Sequence, residues 1–401
     1  MKISLKNQAK TALAYFLLAA LLGVLLRMFR WHPFPINYKY LVHTHSHIAL
    51  LGWIYVALMT VLYTCFLHKT APPRRYRIIF WGTQLTLIGM LLSFPFQGYA
   101  LYSILFSTLF LLMSYAFARF FFKHVPREMK LSKSYRLVRA SLVYMILSSL
   151  GPWSLGAIVN ISGPASGWYR NAIYYYLHFQ YNGWMPMALL GIFFYTVEQR
   201  HIAVPETWFR IFYRSLNAGI ICSFALSLLW MKPDVYVYVL GGLGASLQCF
   251  AFVLLSLFFF GKRIKFKKMF TPMGWRLLTI IGFLILMKVL LQWLVSFPYF
   301  ANLAASILDF TIAYLHWTFL GVISLGLFVF LDHYNLLRIP LKAISLYLLG
   351  FLLTEGLIIY KGIAGWTGFG LFEGYSGILA LVSLFIPIAL TGFMFQRDGT
   401  K

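Results

Sequence analysis

Apolar residues fill this chain in blocks long enough to cross a bilayer, separated by short polar breaks. A spanning helix needs ~20 mostly apolar residues. Stretches of that kind lie at 11–29, 42–67, 77–96, 99–122, 137–160, 170–196, 208–230, 236–260, 275–297, 301–330, 341–361 and 372–395. The pattern predicts an all-α fold, a polytopic membrane helical bundle of about twelve transmembrane helices, forming a single integral membrane domain over 1–401. No soluble domain, long linker or low-complexity segment stands out. No internal repeat is apparent either, so an inverted-repeat transporter gains no support from the sequence.

The breaks alternate in charge. Basic ones hold Lys2, Lys6 and Lys10; Lys69, Arg74, Arg75 and Arg77; Lys123, Arg127, Lys130, Lys133 and Arg136; Arg200, Arg210 and Arg214; Lys262, Arg263, Lys265, Lys267 and Lys268; Arg338 and Lys342; and Arg397 and Lys401. Between them, the breaks at 93–100, 160–168 and 296–302 are free of Lys and Arg. Cytoplasmic loops are the Lys- and Arg-rich ones, so both termini are expected on the cytoplasmic side. The first outer loop, with Arg27, Arg30 and Lys39, is the exception. The first apolar run has no small-residue cleavage pattern after it and reads as a span rather than a signal peptide.

Composition agrees. The 401 residues are 61% hydrophobic and 11% charged, where a soluble domain averages ~25% charged. Mean hydropathy is +0.77. The net charge of +25 follows the membrane rule and points to membrane lipid with an anionic inner leaflet as a partner, not to nucleic acid. Cys65, Cys222 and Cys249 are scattered through apolar blocks without paired spacing, and read as buried thiols.

Candidate chemistry concentrates in one place. His43, His45 and His47 stand at the start of the second span, in the run His43-Thr-His45-Ser-His47-Ile-Ala-Leu-Leu-Gly52-Trp53. Ionisable groups in a membrane helix are rare and usually mark a site, and histidine is the commonest metal ligand. On a helix, His43 and His47 lie one above the other and His45 points roughly the opposite way. One helix can then serve two centres. The charge pattern puts His178 in span 6 and His316 in span 10 in the same outer half, with His316 ~20 Å along its helix if that helix begins near Ala301. His178 lies among Tyr174, Tyr175, Tyr176, Gln180, Tyr181 and Asn182, a polar and aromatic wall. His32, His68, His124, His201 and His333 read as interfacial.

Other polar groups frame these histidines. Asp309 precedes His316 by seven residues, on nearly the same helix face, and would orient its imidazole or neutralise a cation. Lys288 and Gln292 form an i, i+4 pair in span 9. Lys288 reads as a proton relay, a propionate partner or a snorkelling lysine. Glu355 and Glu373 lie in the outer halves of spans 11 and 12, Glu355 as a further relay candidate. Neutral imidazoles in an apolar bundle suit haem iron or copper. Zinc suits them less, because no Cys or carboxylate cluster completes a set. The chain has no HExxH, GxSxG or phosphate-binding glycine loop.

The segment His45-Ser-His47-Ile-Ala-Leu-Leu-Gly52-Trp53 resembles the His-x-His-x-x-x-x-Gly motif of the haem-copper oxidase superfamily, and is closest to the cbb3-type oxidase and nitric oxide reductase branch. In that family the two histidines ligate haems on opposite faces of one helix. The twelve spans and the histidines on spans 2, 6 and 10 also resemble its subunit I. The sequence departs from the family in three ways. The paired histidines stand on span 2 instead of span 10, span 7 has no histidines for a copper site, and no HPEVY-like run follows His178. A reduced relative is implied, similar to the NnrS-like haem- and copper-binding membrane proteins. The resemblance implies haem, b-type, with copper as a further metal, at His43, His45, His47, His178 and His316; for the metal itself, at His45, His47, His178 and His316. His45 or His47 would pair with His316 or His178 as axial ligands.

Three readings follow. The first is a membrane haem or haem-copper protein of the bacterial cytoplasmic membrane. It would act in electron transfer or O2 or NO handling, with a donor subunit or quinol as partner; as an enzyme it would be an oxidoreductase. The second is a transporter or channel with a histidine-lined polar cavity and no prosthetic group. The third is a lipid transferase using His316 or His178 as general base, with Asp309 as its partner.

Overall fold

A computed structural model describes residues 3–29, 31 and 34–395; Lys2, Arg30, His32, Arg397 and Lys401, weighed above, lie outside them. Among the described residues the chain is all-α, with no strand. Eleven helices are long and apolar enough to cross a membrane: α1 (Leu5–Met28), α2 (Tyr38–Leu67), α3 (Pro73–Gln97), α4 (Leu101–His124), α5 (Lys133–Ser162), α7 (Glu206–Met231), α8 (Val235–Gly261), α9 (Pro272–Leu294), α10 (Leu308–His333), α11 (Leu341–Thr367) and α12 (Tyr375–Met394). Helix α6 (167–199) is as long as these. Its polar residues, Arg170, Asn171, His178, Gln180 and Asn182 among them, hold its hydropathy down. The chain is an integral membrane protein, and its outward apolar side chains, such as Leu85, Leu92 and Phe96, face lipid.

Sequence chemistry sets the helix starts. The side chains of Ser4, Asn37, Ser132, Ser166 and Thr271 each accept a backbone N–H of the first turn, at 2.9–3.4 Å. Such caps satisfy donors that the helix itself leaves unpaired. Gly98 ends α3 at φ 60°, a conformation that side chains disfavour.

The helices fall into two compact units. Unit 1 comprises Met1–Arg127, Leu327–Ala364 and Phe369–Lys401; unit 2 comprises Glu128–Gly326 and Gly365–Gly368. In unit 1 the core helix is α2, with 94% of its apolar window buried against 28% for the peripheral α4. The histidine cluster therefore sits on a helix enclosed by protein. Phe16 of α1 stacks on Trp53 of α2 at 4.8 Å, and Phe328, Tyr347 and Phe393 close the cluster. The core of unit 2 is likewise aromatic: Trp208 stacks on Phe258 at 4.6 Å and Phe259 on Trp275 at 4.8 Å.

One boundary differs from the sequence reading. The apolar run beginning at Ala301 is two helices, Pro298–Ser306 and α10, separated at Ile307 by an extended backbone (φ −112°, ψ 98°). Thr311 Oγ1 donates to the freed Ala304 carbonyl at 3.1 Å and stabilises the break. His316 is therefore about 12 Å into its helix rather than ~20 Å, at 1.5 Å per residue.

Candidate functional site

The first turns of α2, over Tyr38–His47, are regular α-helix, so the three histidines take the faces expected of them. His45 points to α1, where Nδ1–H donates to the Ala19 carbonyl at 2.8 Å. Gly23 makes room for this ring: a Cβ there would lie 3.2 Å from His45 Cε1. His43 and His47 point the other way, toward the end of α3. His47 lies against Phe94 at 4.4 Å between centroids, and His43 against Tyr99 at 4.6 Å. His47 Nδ1–H donates to the His43 carbonyl at 2.8 Å, and the Tyr99 hydroxyl is 3.4 Å from Nε2. In both His45 and His47 the Nδ1 proton is fixed by a backbone carbonyl, which leaves the ring lone pair on Nε2.

The helix changes character immediately after His47. Ile48–Tyr55 is π-helical. The same change follows His178, where Phe179–Trp184 is π-helical, and His316, where Trp317–Ser324 is π-helical. Each of these three π segments carries a glycine five residues beyond its histidine, Gly52, Gly183 and Gly321, which a fourth, Tyr63–Leu67, lacks. Such π segments are uncommon and are frequent at functional sites.

The packing repeats as well. Within unit 1, Gly52 receives the Tyr15 side chain of α1; within unit 2, Gly183 receives Tyr144 of α5. A Cβ at either glycine would come within 2.7–2.8 Å of the tyrosine Cβ and Cγ. Further along α5, Gly151 lies against Tyr176, two residues before His178, as Gly23 of α1 lies against His45, two residues before His47. In α9–α10 the contact is Trp317 Nε1–H to the Leu284 carbonyl, 2.9 Å. The pairing of α1 with α2 thus recurs in that of α5 with α6, while His316 shares with them the following π segment and its glycine.

His178 differs from His47 in that Nε2, not Nδ1, holds the proton donated to a backbone carbonyl. It is buried, with Nε2–H donating to the Ile220 carbonyl at 2.8 Å and Nδ1 accepting from Asn182 Nδ2 at 3.2 Å. Both ring nitrogens are spent on protein partners. Asn182 continues the chain by accepting from Lys288 Nζ, which also donates to Gln292 Oε1 at 3.2 Å. The Tyr314 hydroxyl donates to the same oxygen at 3.1 Å. The polar residues of α6, α9 and α10 thus form one buried network in unit 2. Lys288 does not snorkel to a surface; it is 3% exposed.

The remaining candidates are dispersed. His316 is half-buried at its α-to-π junction, and Asp309 is half-buried in the first turn of α10. Glu355 of α11 is buried within electrostatic reach of Arg27 of α1, whose guanidinium donates to Ser383 Oγ. Glu373 is exposed before α12. A groove of about 440 Å³ on unit 1, lined by Leu85, Leu92, Phe96 and Phe106 of α3 and α4, is apolar and open to lipid. Among the described residues no three His, Cys, Asp or Glu side chains come together as a metal cage.

No protein-family model matches this chain, and no curated protein matches it.

Proposed function

We propose that this chain is a haem protein of the bacterial cytoplasmic membrane, a reduced relative of haem-copper oxidase subunit I, acting in electron transfer or in the handling of O2 or NO. The observation that supports this reading is the pair His45 and His47 on opposite faces of the buried helix α2, each with its Nδ1 proton on a backbone carbonyl. A histidine that ligates a metal through Nε2 is usually oriented in this way. Imidazole donors suit haem iron, and because His45 and His47 face opposite sides of α2, each would hold a separate group on its own side. A b-type haem held there would supply one-electron exchange and gas binding at iron. The chain's own part is to fix the two imidazole rings through backbone carbonyls and exclude water with the aromatic core around Trp53. Copper would draw on the same imidazoles, and a quinol or donor subunit would supply electrons. As an enzyme the chain would be an oxidoreductase.

A second reading, a transporter or channel without a prosthetic group, has support of its own in unit 2. The network His178–Asn182–Lys288–Gln292–Tyr314 places a buried amine in a continuous polar chain, a feature of substrate and proton pathways. Absorption spectra of the purified protein separate the readings. The haem reading expects a Soret band that His45→Ala or His47→Ala removes or shifts. A coloured protein whose spectrum ignores both substitutions refutes the ligand assignment, and a colourless one refutes the haem.

A further inference from the structure

Lys288 lies in surroundings built to hold a positive charge without cancelling it. Asn182 and Gln292 both turn their amide oxygens to its Nζ. The rings of Tyr181 and Tyr314 face it at 5.6 and 5.7 Å, close enough for cation–π attraction. Among the described residues no carboxylate pairs with it. Gln292 turns its oxygen to the amine at the expense of its own amide nitrogen. Its oxygen serves both Lys288 and the Tyr314 hydroxyl, while its buried Nε2 has no partner. Leaving a buried donor unpaired is unfavourable, and here it is tolerated to give the oxygen to the cation. A space of about 10 Å³ borders Lys288, Asn182, Gln248 and Thr318, enough for a single water.

We propose that unit 2 contains a recognition site for a primary ammonium ion, formed by Asn182, Gln292, Tyr181 and Tyr314 from α6, α9 and α10, which the chain fills with its own Lys288. The lysine is a tethered ligand, and its charge stays inside the unit, balanced by dipoles and ring faces instead of a counter-ion. This proposal does not depend on the haem reading. Cutting the tether empties the site. Lys288→Ala removes three carbons and the nitrogen, the atoms of propylammonium. The same cage then binds that ion from solution.

The test is thermal unfolding of the protein in detergent or nanodiscs at matched pH and ionic strength, with propylammonium, propanol or tetramethylammonium added. Wild type should be insensitive to all three. Lys288→Ala should unfold at a lower temperature and recover saturably with propylammonium alone. Equal recovery with propanol would reduce the site to an apolar cavity and overturn the proposal, as would no recovery with any of them. Lys288→Met keeps the packing without the charge and carries the test if the alanine variant does not accumulate. It should be less stable than wild type, because the amide oxygens and ring faces lose their cation. Stability equal to or above wild type would overturn the proposal.

Discussion

A methyl group added at Gly52 or Gly183 probes the junction that follows each histidine. At Gly52 the new Cβ would lie 2.8 Å from both Cβ and Cγ of Tyr15, and at Gly183 2.8 and 2.7 Å from those of Tyr144. These are the root atoms of the tyrosines, so rotating a side chain does not relieve the clash; α1 or α5 must move. Overpacking of this kind costs about 1–3 kcal/mol. Alanine recovers about 1 kcal/mol of helix preference over glycine, so the net loss should be about 0–2 kcal/mol at each site, against a gain at an open control position. Gly156 is the control, since a Cβ there meets nothing within 4 Å. Gly156→Ala should be neutral or stabilising by about 0.5–1 kcal/mol. Thermal unfolding of the three variants in one detergent measures the difference. If Gly52→Ala and Gly183→Ala behave like Gly156→Ala, the tyrosine seats are not tight, and packing from the preceding helix does not fix the π segments.

Gly23→Ala should push the His45 ring by a few tenths of an ångström, because the new Cβ sits 3.2 Å from Cε1; under the haem proposal the expected outcome is a changed Soret or electron paramagnetic resonance signal in a protein that still folds. His178→Ala should leave that signal intact while costing roughly 2–4 kcal/mol, since it opens a cavity and strands the Ile220 carbonyl and the Asn182 amide; a lost Soret band would show that His178 is a ligand after all. Glu198 caps α5 by accepting from the backbone N–H of Lys133 at 2.8 Å and of Ser134 at 3.2 Å. Its replacement by alanine should therefore lower stability by about 0.5–2 kcal/mol, read by thermal unfolding, while glutamine retains part of the cap.

Much of the fold is legible in the sequence, for a simple reason. A lipid-embedded helix must be long and apolar, and composition alone declares it. The faces of His43, His45 and His47 follow from helix periodicity, because Tyr38–His47 is regular. Span 10 reads less well: Ile307 is apolar, and nothing in its side chain announces that its backbone leaves the helix. The recurrence of the π junction is hidden because His47–Gly52, His178–Gly183 and His316–Gly321 share only their end residues. What all three have in common is backbone geometry, and the first two also share the tyrosine seats of α1 and α5, which pair positions more than thirty residues apart. The bonding of His178 is equally invisible, since its partner on α7 is the carbonyl of Ile220, an acceptor that any residue there would offer. The charge of Lys288 is plain in the sequence, but whether it snorkels or stays buried depends on α6 and α10, not on its neighbours in the chain.

The most direct test of the central claim is the absorption spectrum of the detergent-purified protein, oxidised and dithionite-reduced, with metal analysis of the same sample. The haem reading predicts a Soret band, sharp reduced α and β bands and iron in the sample, with a shift on adding CO or NO if an axial position is open. A colourless, metal-free protein would contradict it and leave the buried polar network of unit 2 as the functional centre.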